Sequence, residues 1–423
     1  MRSFPEAGNS EQPSLQGILK ASHRLKDVIA HTPLAFNAHL SEKYGANIYL
    51  KREDQQIVRS YKVRGAYNKM ASIPKADLLR GVVCASAGNH AQGVAFACRK
   101  MGVKGTIFMP TTTPSQKIRQ VGMFGKEWTN VRLWGDTFDD SYKASLAFCQ
   151  QENATFVHPF DDVHVIEGQG SVGLEILEQS EFPIDYLLLP VGGGGLASGI
   201  GIVFGELSPA TQIIGVEPEG APSLTRSLLE GKVTELTEID KFIDGAAVKK
   251  VGDLTFTICR DVLNEVLLVP EGKVCTTILQ LYNEEAIVAE PAGALSVAAL
   301  DLVKDKIEGK NVVLVISGGN NDITRTEEIR ERSMLYEGLK HYFIISFPQR
   351  AGAFREFLNV LSPNDDIVRF EYIKKTNKEQ GPALVGIELQ KKEHYQPLVD
   401  RMTDAGITFE YVNDQPDLFR YLV

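Results

Sequence analysis

Tyr186-Leu187-Leu188-Leu189-Pro190-Val191-Gly192-Gly193-Gly194-Gly195-Leu196 is the stretch on which the reading of the fold turns. A near-continuous apolar run ends in four glycines, and helical periodicity follows from Leu196 to Glu206. An apolar run without polar alternation reads as a strand buried on both faces, which requires a mostly parallel sheet covered by helices. Such sheets bind ligands at the carboxyl ends of their strands. Glycines placed there let backbone N–H groups converge on an anion at the helix N-terminus, where the dipole adds to the attraction. The alternative, a flexible connector, fits poorly between a buried strand and a helix. The loop lacks the Lys-Ser/Thr of a nucleotide phosphate loop and the spaced glycines of a dinucleotide fingerprint.

The same β/α alternation runs from Asn47 to Ser317. Strands are expected at Val82 to Ala85, Thr106 to Met109, Val131 to Trp134, Tyr186 to Val191, Ile213 to Glu217, Val266 to Val269 and Val312 to Ser317. Helices of about three turns are expected between them, among them His90 to Met101, Ser115 to Phe124, Asp139 to Gln151 and Ala292 to Val303. After Ser317 the pattern changes. A charged helix, Thr324 to Tyr336, leads into strand-like His341 to Phe347 and helical Phe354 to Leu361. Strand-like Ile367 to Ile373 and Ala383 to Leu389 follow, then helical Gln396 to Asp404. This βαββα order is a compact α+β unit in itself.

A chain of 423 residues exceeds what one core supports, about 250 to 300 residues, so more than one domain is expected. With 43% hydrophobic and 23% charged residues it reads as a globular protein. A net charge of −9 repels polyphosphate and anionic lipid, which argues against nucleic-acid and membrane partners. No apolar run reaches the roughly 18 residues of a spanning helix, and Met1 to Gly17 lacks the apolar core of a signal peptide, so a cytoplasmic location is expected. Cys84, Cys98, Cys149, Cys259 and Cys275 are widely spaced, without a CxxC pair, and are expected to be reduced thiols. His158, Asp161, Asp162 and His164 carry metal-ligand chemistry without a known ligand spacing, so no metal is expected there.

Three further segments carry chemistry. In Ser60-Tyr61-Lys62-Val63-Arg64-Gly65-Ala66, Lys62 taken alone is a solvated surface charge; beside a bound aldehyde it forms a covalent imine and then serves as a base. Ser86-Ala87-Gly88-Asn89-His90 follows a buried strand and opens a helix, so small residues let a ligand approach while Asn89 donates to an oxygen. Ser86 or Asn89 is also a natural cap for that helix, and His90 reads as structural. Ser317-Gly318-Gly319-Asn320-Asn321 follows the last buried strand and places a neutral hydroxyl where it would hydrogen-bond a pyridine nitrogen without protonating it.

Taken together and in this order, the segments resemble the fold type II pyridoxal-phosphate enzymes, the tryptophan synthase β family, and within it the threonine dehydratase branch, over nearly the whole chain. The resemblance implies a two-lobed α/β catalytic region over 1–335 with mostly parallel sheets, its small lobe (approximately 55–160) inserted in the large one, and a C-terminal α+β ACT-like domain over 336–423. It implies pyridoxal 5'-phosphate as cofactor, with Lys62 as attachment point and catalytic base. The phosphate falls to Gly192, Gly193, Gly194, Gly195 and the Leu196 amide, the ring oxygen to Asn89, the ring nitrogen to Ser317, and the substrate carboxylate to Ser86 and Gly88. Glu290, in Glu290-Pro291-Ala292-Gly293, lies where the family has an acidic motif near the cofactor, or else caps the helix of Ala292. The implied reaction is dehydration and deamination of L-threonine to 2-oxobutanoate and ammonia, the first step towards isoleucine. The tail around Phe347-Pro348-Gln349-Arg350-Ala351-Gly352-Ala353-Phe354 is similar to the ACT-like regulatory module, of which one copy fits the length. Isoleucine and valine are the implied effectors, with Arg350, Gly352 and Ala353 as contacts, and a homotetramer is the implied assembly. A serine dehydratase or racemase would use the same lysine and loops. A non-catalytic amino-acid sensor would leave Lys62 and the glycine loop unexplained.

Overall fold

The computed structural model describes residues 12–373 and 379–422, so most of the leader expectation for Met1 to Gly17 lies outside the described residues. The chain divides into one compact unit that ends at Ile323 and a second that begins at Thr324.

Among the described residues, ten strands build the first unit: β1 (Leu34–Phe36), β2 (Asn47–Arg52), β3 (Val82–Ala85), β4 (Gly105–Met109), β5 (Thr129–Leu133), β6 (Thr155–Phe156), β7 (Tyr186–Pro190), β8 (Gln212–Pro218), β9 (Glu265–Val269) and β10 (Asn311–Ile316). They form two sheets. One has the order β1-β2-β10-β7-β8-β9 and is parallel except for the β1–β2 pair. The other, β5-β4-β3-β6, is wholly parallel and is made by the stretch between β2 and β7. The apolar runs that suggested double-sided burial behave accordingly: β3 is buried throughout, and β10 from Val312 onward. β5 is largely exposed because it is an edge strand. β1, β2 and β6 are absent from the expected strands. Two are only three and two residues long, and β2 ends in Lys51-Arg52, whose charges mask a buried strand. The helix expected from Ala292 to Val303 is two helices, Pro291–Ala298 and Leu300–Ile307.

The helix Val163–Gln179 brings the two chemically important helices together. It meets the helix Lys62–Ser72 where a side chain on Gly168 would run into the Arg64 and Gly65 backbone. It meets the helix Gly195–Leu207 where a side chain on Gly199 would run into Ile166 O and Gly170. Only hydrogen side chains allow backbones so close. The core around this contact holds Ile166, Val172, Leu187, Leu189, Leu196, Ile200, Val313 and Val315.

In the second unit, β11 (Lys340–Pro348), β12 (Asp365–Tyr372), β13 (Gln380–Leu389) and β14 (Thr408–Tyr411) form an antiparallel sheet of order β12-β13-β11-β14. The helices Ala353–Leu358 and Tyr395–Asp404 complete a βαββαβ unit around Phe343, Ile345, Phe357, Val385, Leu398 and Met402. The expected βαββα order therefore lacks its last strand, whose four residues alternate exposed and half-buried and carry little apolar signal. The helix Thr326–Tyr336 is tied to this sheet: Tyr342 donates to Glu331 (2.6 Å) and Arg330 to Glu388 (2.7 Å), while Lys340 pairs with Glu331. The compact unit consequently starts ahead of the boundary expected at 336. No helix among the described residues is long and apolar enough to cross a membrane.

Candidate active site

Lys62 opens its helix, and the residues before it pair with the loop after β10. Tyr61 N–H donates to Ser317 O (3.2 Å), Gly319 N–H donates to Arg59 O (2.9 Å), and Ser60 bridges to Gly318. Two of the expected segments are thus stitched together residue by residue. The Lys62 amine donates to Pro159 O at 2.9 Å. Burial lowers its pKa from 10.5 to about 8, against the opposing pull of the Glu290 charge.

The next residue after Pro159 reaches the glycine loop. Phe160 lies against Gly193 and Gly195, so a side chain on Gly193 would overlap its ring. A side chain on Gly192 would approach the Ala246 Cα to 2.9 Å, and Gly194 sits at φ 87°, in the left-handed region that disfavours any other residue. Thr255 Oγ1 donates to Gly193 O (2.6 Å) and Cys259 Sγ to Gly194 O (3.6 Å), which takes up two loop carbonyls. Among the described residues, no protein acceptor receives the amides of Gly192, Gly193, Gly194, Gly195 or Leu196. Five neighbouring amides without an acceptor, at the start of a helix buried from Gly195 to Phe204, are a donor set for a multiply charged anion. The loop therefore fits a phosphate.

Asn89 opens the helix Asn89–Met101, whose N-cap is Gly88 without any side-chain cap bond. Neither Ser86 nor Asn89 caps it, contrary to expectation. Ser86 Oγ accepts from Gly88 N–H (3.2 Å), and Asn89 Nδ2 donates to Glu290 Oε1 (2.5 Å). A side chain on Gly88 would meet nothing within 4 Å, so open space lies beside this helix start. Glu290 likewise does not cap the helix Pro291–Ala298 through its side chain; its carboxyl faces Asn89 instead. Burial raises the Glu290 pKa from 4.5 to about 7; the Asp244 charge adds to the rise, while Asn89 and Lys117 oppose it. Ser317 is 2% exposed.

His90 is buried, its Nε2 against Val157 O (2.9 Å), and burial together with the Lys62 charge lowers its pKa to about 3. A ring that stays neutral and is bonded to a backbone carbonyl just past β6 is structural. The His158 to His164 cluster is likewise a set of local braces. His158 Nδ1 accepts from Asp161 N–H (2.7 Å), Asp161 accepts from the N–H groups of Asp253, Leu254 and Thr255, and Asp162 caps Val163–Gln179. No group of potential metal ligands is found among the described residues.

Several contributors escaped the sequence reading. Phe160 and Thr255 shape the glycine loop, and Asn320 touches Asn89. Behind Lys62, fully buried Arg64 bonds both Glu53 and Glu175, and fully buried Lys51 bonds Glu175, at 2.6 to 2.8 Å. The spacing of these four in sequence carries no signal. The acid pair Asp161-Asp162 stood out in the sequence for its ligand-type chemistry, with no metal expected, and its part in holding helix starts did not show.

In the second unit, Gly352 (φ 89°) caps the helix Ala353–Leu358, Ala353 is buried, and exposed Arg350 makes two bonds to Glu356 (2.8 and 2.7 Å).

Residues 25–318 match the family described as pyridoxal-phosphate dependent enzyme, and residues 331–422 match the C-terminal regulatory domain of threonine dehydratase. The biosynthetic L-threonine dehydratase IlvA of Bacillus subtilis is 59% identical over 407 residues, 96% of each chain. Its counterpart from Halalkalibacterium halodurans is 57% identical over 410 residues, covering 97% of this chain and 99% of that protein. Among solved structures, the processed form of threonine deaminase isoform 2 from Solanum lycopersicum superposes with a TM-score of 0.72 at 37% identity, over 78% of this chain and 94% of that one.

Proposed function

The chain belongs to the pyridoxal-phosphate dependent enzymes, in their biosynthetic threonine dehydratase branch, and from that premise we propose how its own residues carry the reaction. It uses pyridoxal phosphate to dehydrate and deaminate L-threonine, the water lost in the elimination being regained on hydrolysis, so that the net products are 2-oxobutanoate and ammonia, and its C-terminal unit is a regulatory domain. The cofactor, when bound, supplies the electron sink that makes the α-proton of the amino acid acidic.

The amides of Gly192, Gly193, Gly194, Gly195 and Leu196 hold the cofactor phosphate at the start of their helix. Lys62 is the attachment point and the base. With a pKa lowered to about 8 by burial, its Nζ is neutral in an appreciable fraction near neutral pH and able to accept the α-proton. Asn89 donates to the ring oxygen, and Ser317 offers the ring nitrogen a hydroxyl that does not protonate it. Ser86 and Gly88 receive the substrate carboxylate in the open space at the N-terminus of the helix Asn89–Met101, where uncapped N–H groups favour an anion. The observation that carries this reading is the turn Pro159-Phe160: one residue holds the Lys62 amine and the next packs on Gly193, so base and phosphate loop share one rigid support.

The regulatory domain binds an amino-acid effector. Its proposed ligand is a branched-chain amino acid, isoleucine as inhibitor and valine as a second effector, with Arg350, Gly352 and Ala353 as contacts. A homotetramer working in the cytoplasm completes the proposal.

The test is the absorbance of bound cofactor in the purified protein, together with turnover of threonine and serine. Lys62→Ala should abolish threonine deamination while the far-ultraviolet circular dichroism of the fold is retained. More than a trace of turnover in that variant would remove Lys62 from the role.

A further inference from the structure

We propose that Asn320 is a positioning residue that sets which end of the Asn89 amide faces the cofactor. The inference rests on the reading of Asn89 as the ring-oxygen donor and adds what holds that donor in place. An Asn side chain presents either N–H groups or a carbonyl oxygen, and a flip about its last bond exchanges them, so a useful donor needs neighbours that forbid the flip.

The orientation is fixed from an unambiguous starting point. Val58 O is a backbone carbonyl and only accepts; it lies 2.8 Å from the Asn320 side-chain amide, which therefore turns Nδ2 toward it. The same Nδ2 is 2.8 Å from the Asn89 side chain, so Asn89 must present Oδ1 there. Asn89 Nδ2 is then left to face Glu290 Oε1 at 2.5 Å, and its second N–H is the one remaining donor of that amide. The loop that carries Asn320 is itself pinned, because Gly318 O accepts from Glu290 N–H (3.1 Å) and Gly319 N–H donates to Arg59 O (2.9 Å). Glu290 holds the donor end of the Asn89 amide and Asn320 holds the acceptor end.

The two ends are not equivalent. Glu290 accepts from Nδ2, and when protonated its hydroxyl could equally donate to a flipped Asn89 oxygen. Asn320, with its donor committed by Val58, tolerates only one orientation.

The experiment follows retention of pyridoxal phosphate by the full chain, loaded and then dialysed against falling cofactor concentrations, with bound cofactor read by its absorbance. Asn320→Ala should weaken retention about tenfold, as loss of one oriented hydrogen bond to a charged oxygen would. It should also shift the pH titration of the bound cofactor's absorbance in the same direction as Asn89→Ala does. In the double variant, Asn320→Ala should add nothing to Asn89→Ala, because it acts through that side chain. Asn320→Asp, nearly isosteric but without a donor, should be worse than Asn320→Ala, since a carboxylate would pull Asn89 Nδ2 toward itself and turn Oδ1 to the ring oxygen. A merely space-filling role predicts the reverse order, additive effects in the double variant and an unshifted titration; any of these overturns the proposal. If Asn320→Asp does not fold, the alanine cycle decides by itself. Wild type that fails to retain cofactor would sink the underlying site reading, whereas wild-type retention with an unaffected Asn320→Ala would sink this inference alone.

Discussion

Two loops in this molecule share a local design and differ in nearly everything around it. Pro190 to Leu196 and Pro348 to Ala353 each leave a strand at a proline and enter a helix through a left-handed glycine, Gly194 at φ 87° and Gly352 at φ 89°, with no side-chain cap. The first leads into a thirteen-residue helix, its carbonyls held by Thr255 and Cys259 and its faces blocked by Phe160 and Ala246. The second leads into six residues, a side chain on Gly352 would meet nothing, and the nearby guanidinium of Arg350 is held by an exposed carboxylate. The same backbone turn is held on several sides in one setting, as the proposed phosphate site needs, and lies open at the surface in the other. Surroundings, not the turn, decide how strongly each would hold its proposed ligand.

The comparison is broken most severely at Gly194. Gly194→Asp puts a side chain where Thr255 Cβ lies 2.9 Å away, strains a positive φ, and adds negative charge to the proposed phosphate site. Cofactor retention should fall by about 100-fold or more, with activity following, as dialysis and absorbance would show. A folded variant that keeps its cofactor would return the loop to the status of a connector.

Burial also separates the two regions in their response to pH. The Glu290 carboxyl is raised from 4.5 to about 7, so between those values the folded chain keeps a proton that the unfolded chain releases. Stability from this group is complete below pH 4.5 and is lost as pH rises through 7, by about 3 kcal/mol. Glu290→Gln removes the loss. Relative to wild type, the cofactor-free variant should gain up to that amount between pH 4.5 and 7.5 in urea unfolding. A constant difference across the window would contradict the buried-acid assignment. Arg350 and Glu356 are solvent-exposed, and their replacement should produce no comparable change.

A smaller step sharpens the role of the support. Thr255→Val keeps the shape but removes the 2.6 Å bond to Gly193 O, leaving that carbonyl unheld. A loss of about 1 to 1.5 kcal/mol, roughly tenfold in cofactor retention, is expected. If retention is unchanged, loop rigidity does not depend on this contact.

How much of this was legible in sequence follows the same divide. Segments whose chemistry lies in the local chain stand where expected, the glycine loop, the Asn89 segment and Ser317 at strand ends and Lys62 at the start of a helix, and most strand boundaries shift by a residue or two. What was not legible is the support. Thr255 lies 62 residues from Gly193, Asn320 lies 231 from Asn89, and Glu175 lies 111 from Arg64, so no periodicity links them. Lys51 and Arg64 ordinarily read as surface charges, and only the tertiary meeting with Glu53 and Glu175 makes their burial tolerable. β14 was missed because four half-exposed residues carry no apolar run.

The smallest expected effects lie in the second loop and concern response rather than stability. Arg350 is the side chain there able to take the carboxylate of an amino-acid effector, and Glu356 already occupies it through two bonds, which keep the Glu356 carboxyl below its ordinary range. An effector at this position must compete with Glu356. Glu356→Gln weakens the competitor, so isoleucine should inhibit at a concentration a few-fold lower, with threonine turnover in its absence unchanged. Arg350→Ala removes the donor proposed for the effector carboxylate and should raise the inhibitory concentration, opposite in sign to Glu356→Gln. Because the pair is exposed, both shifts should shrink as salt is raised, which a buried site would resist. Opposite signs for the two variants are the signature of competition for one guanidinium; shifts of the same sign, or none, would move the effector site away from Arg350.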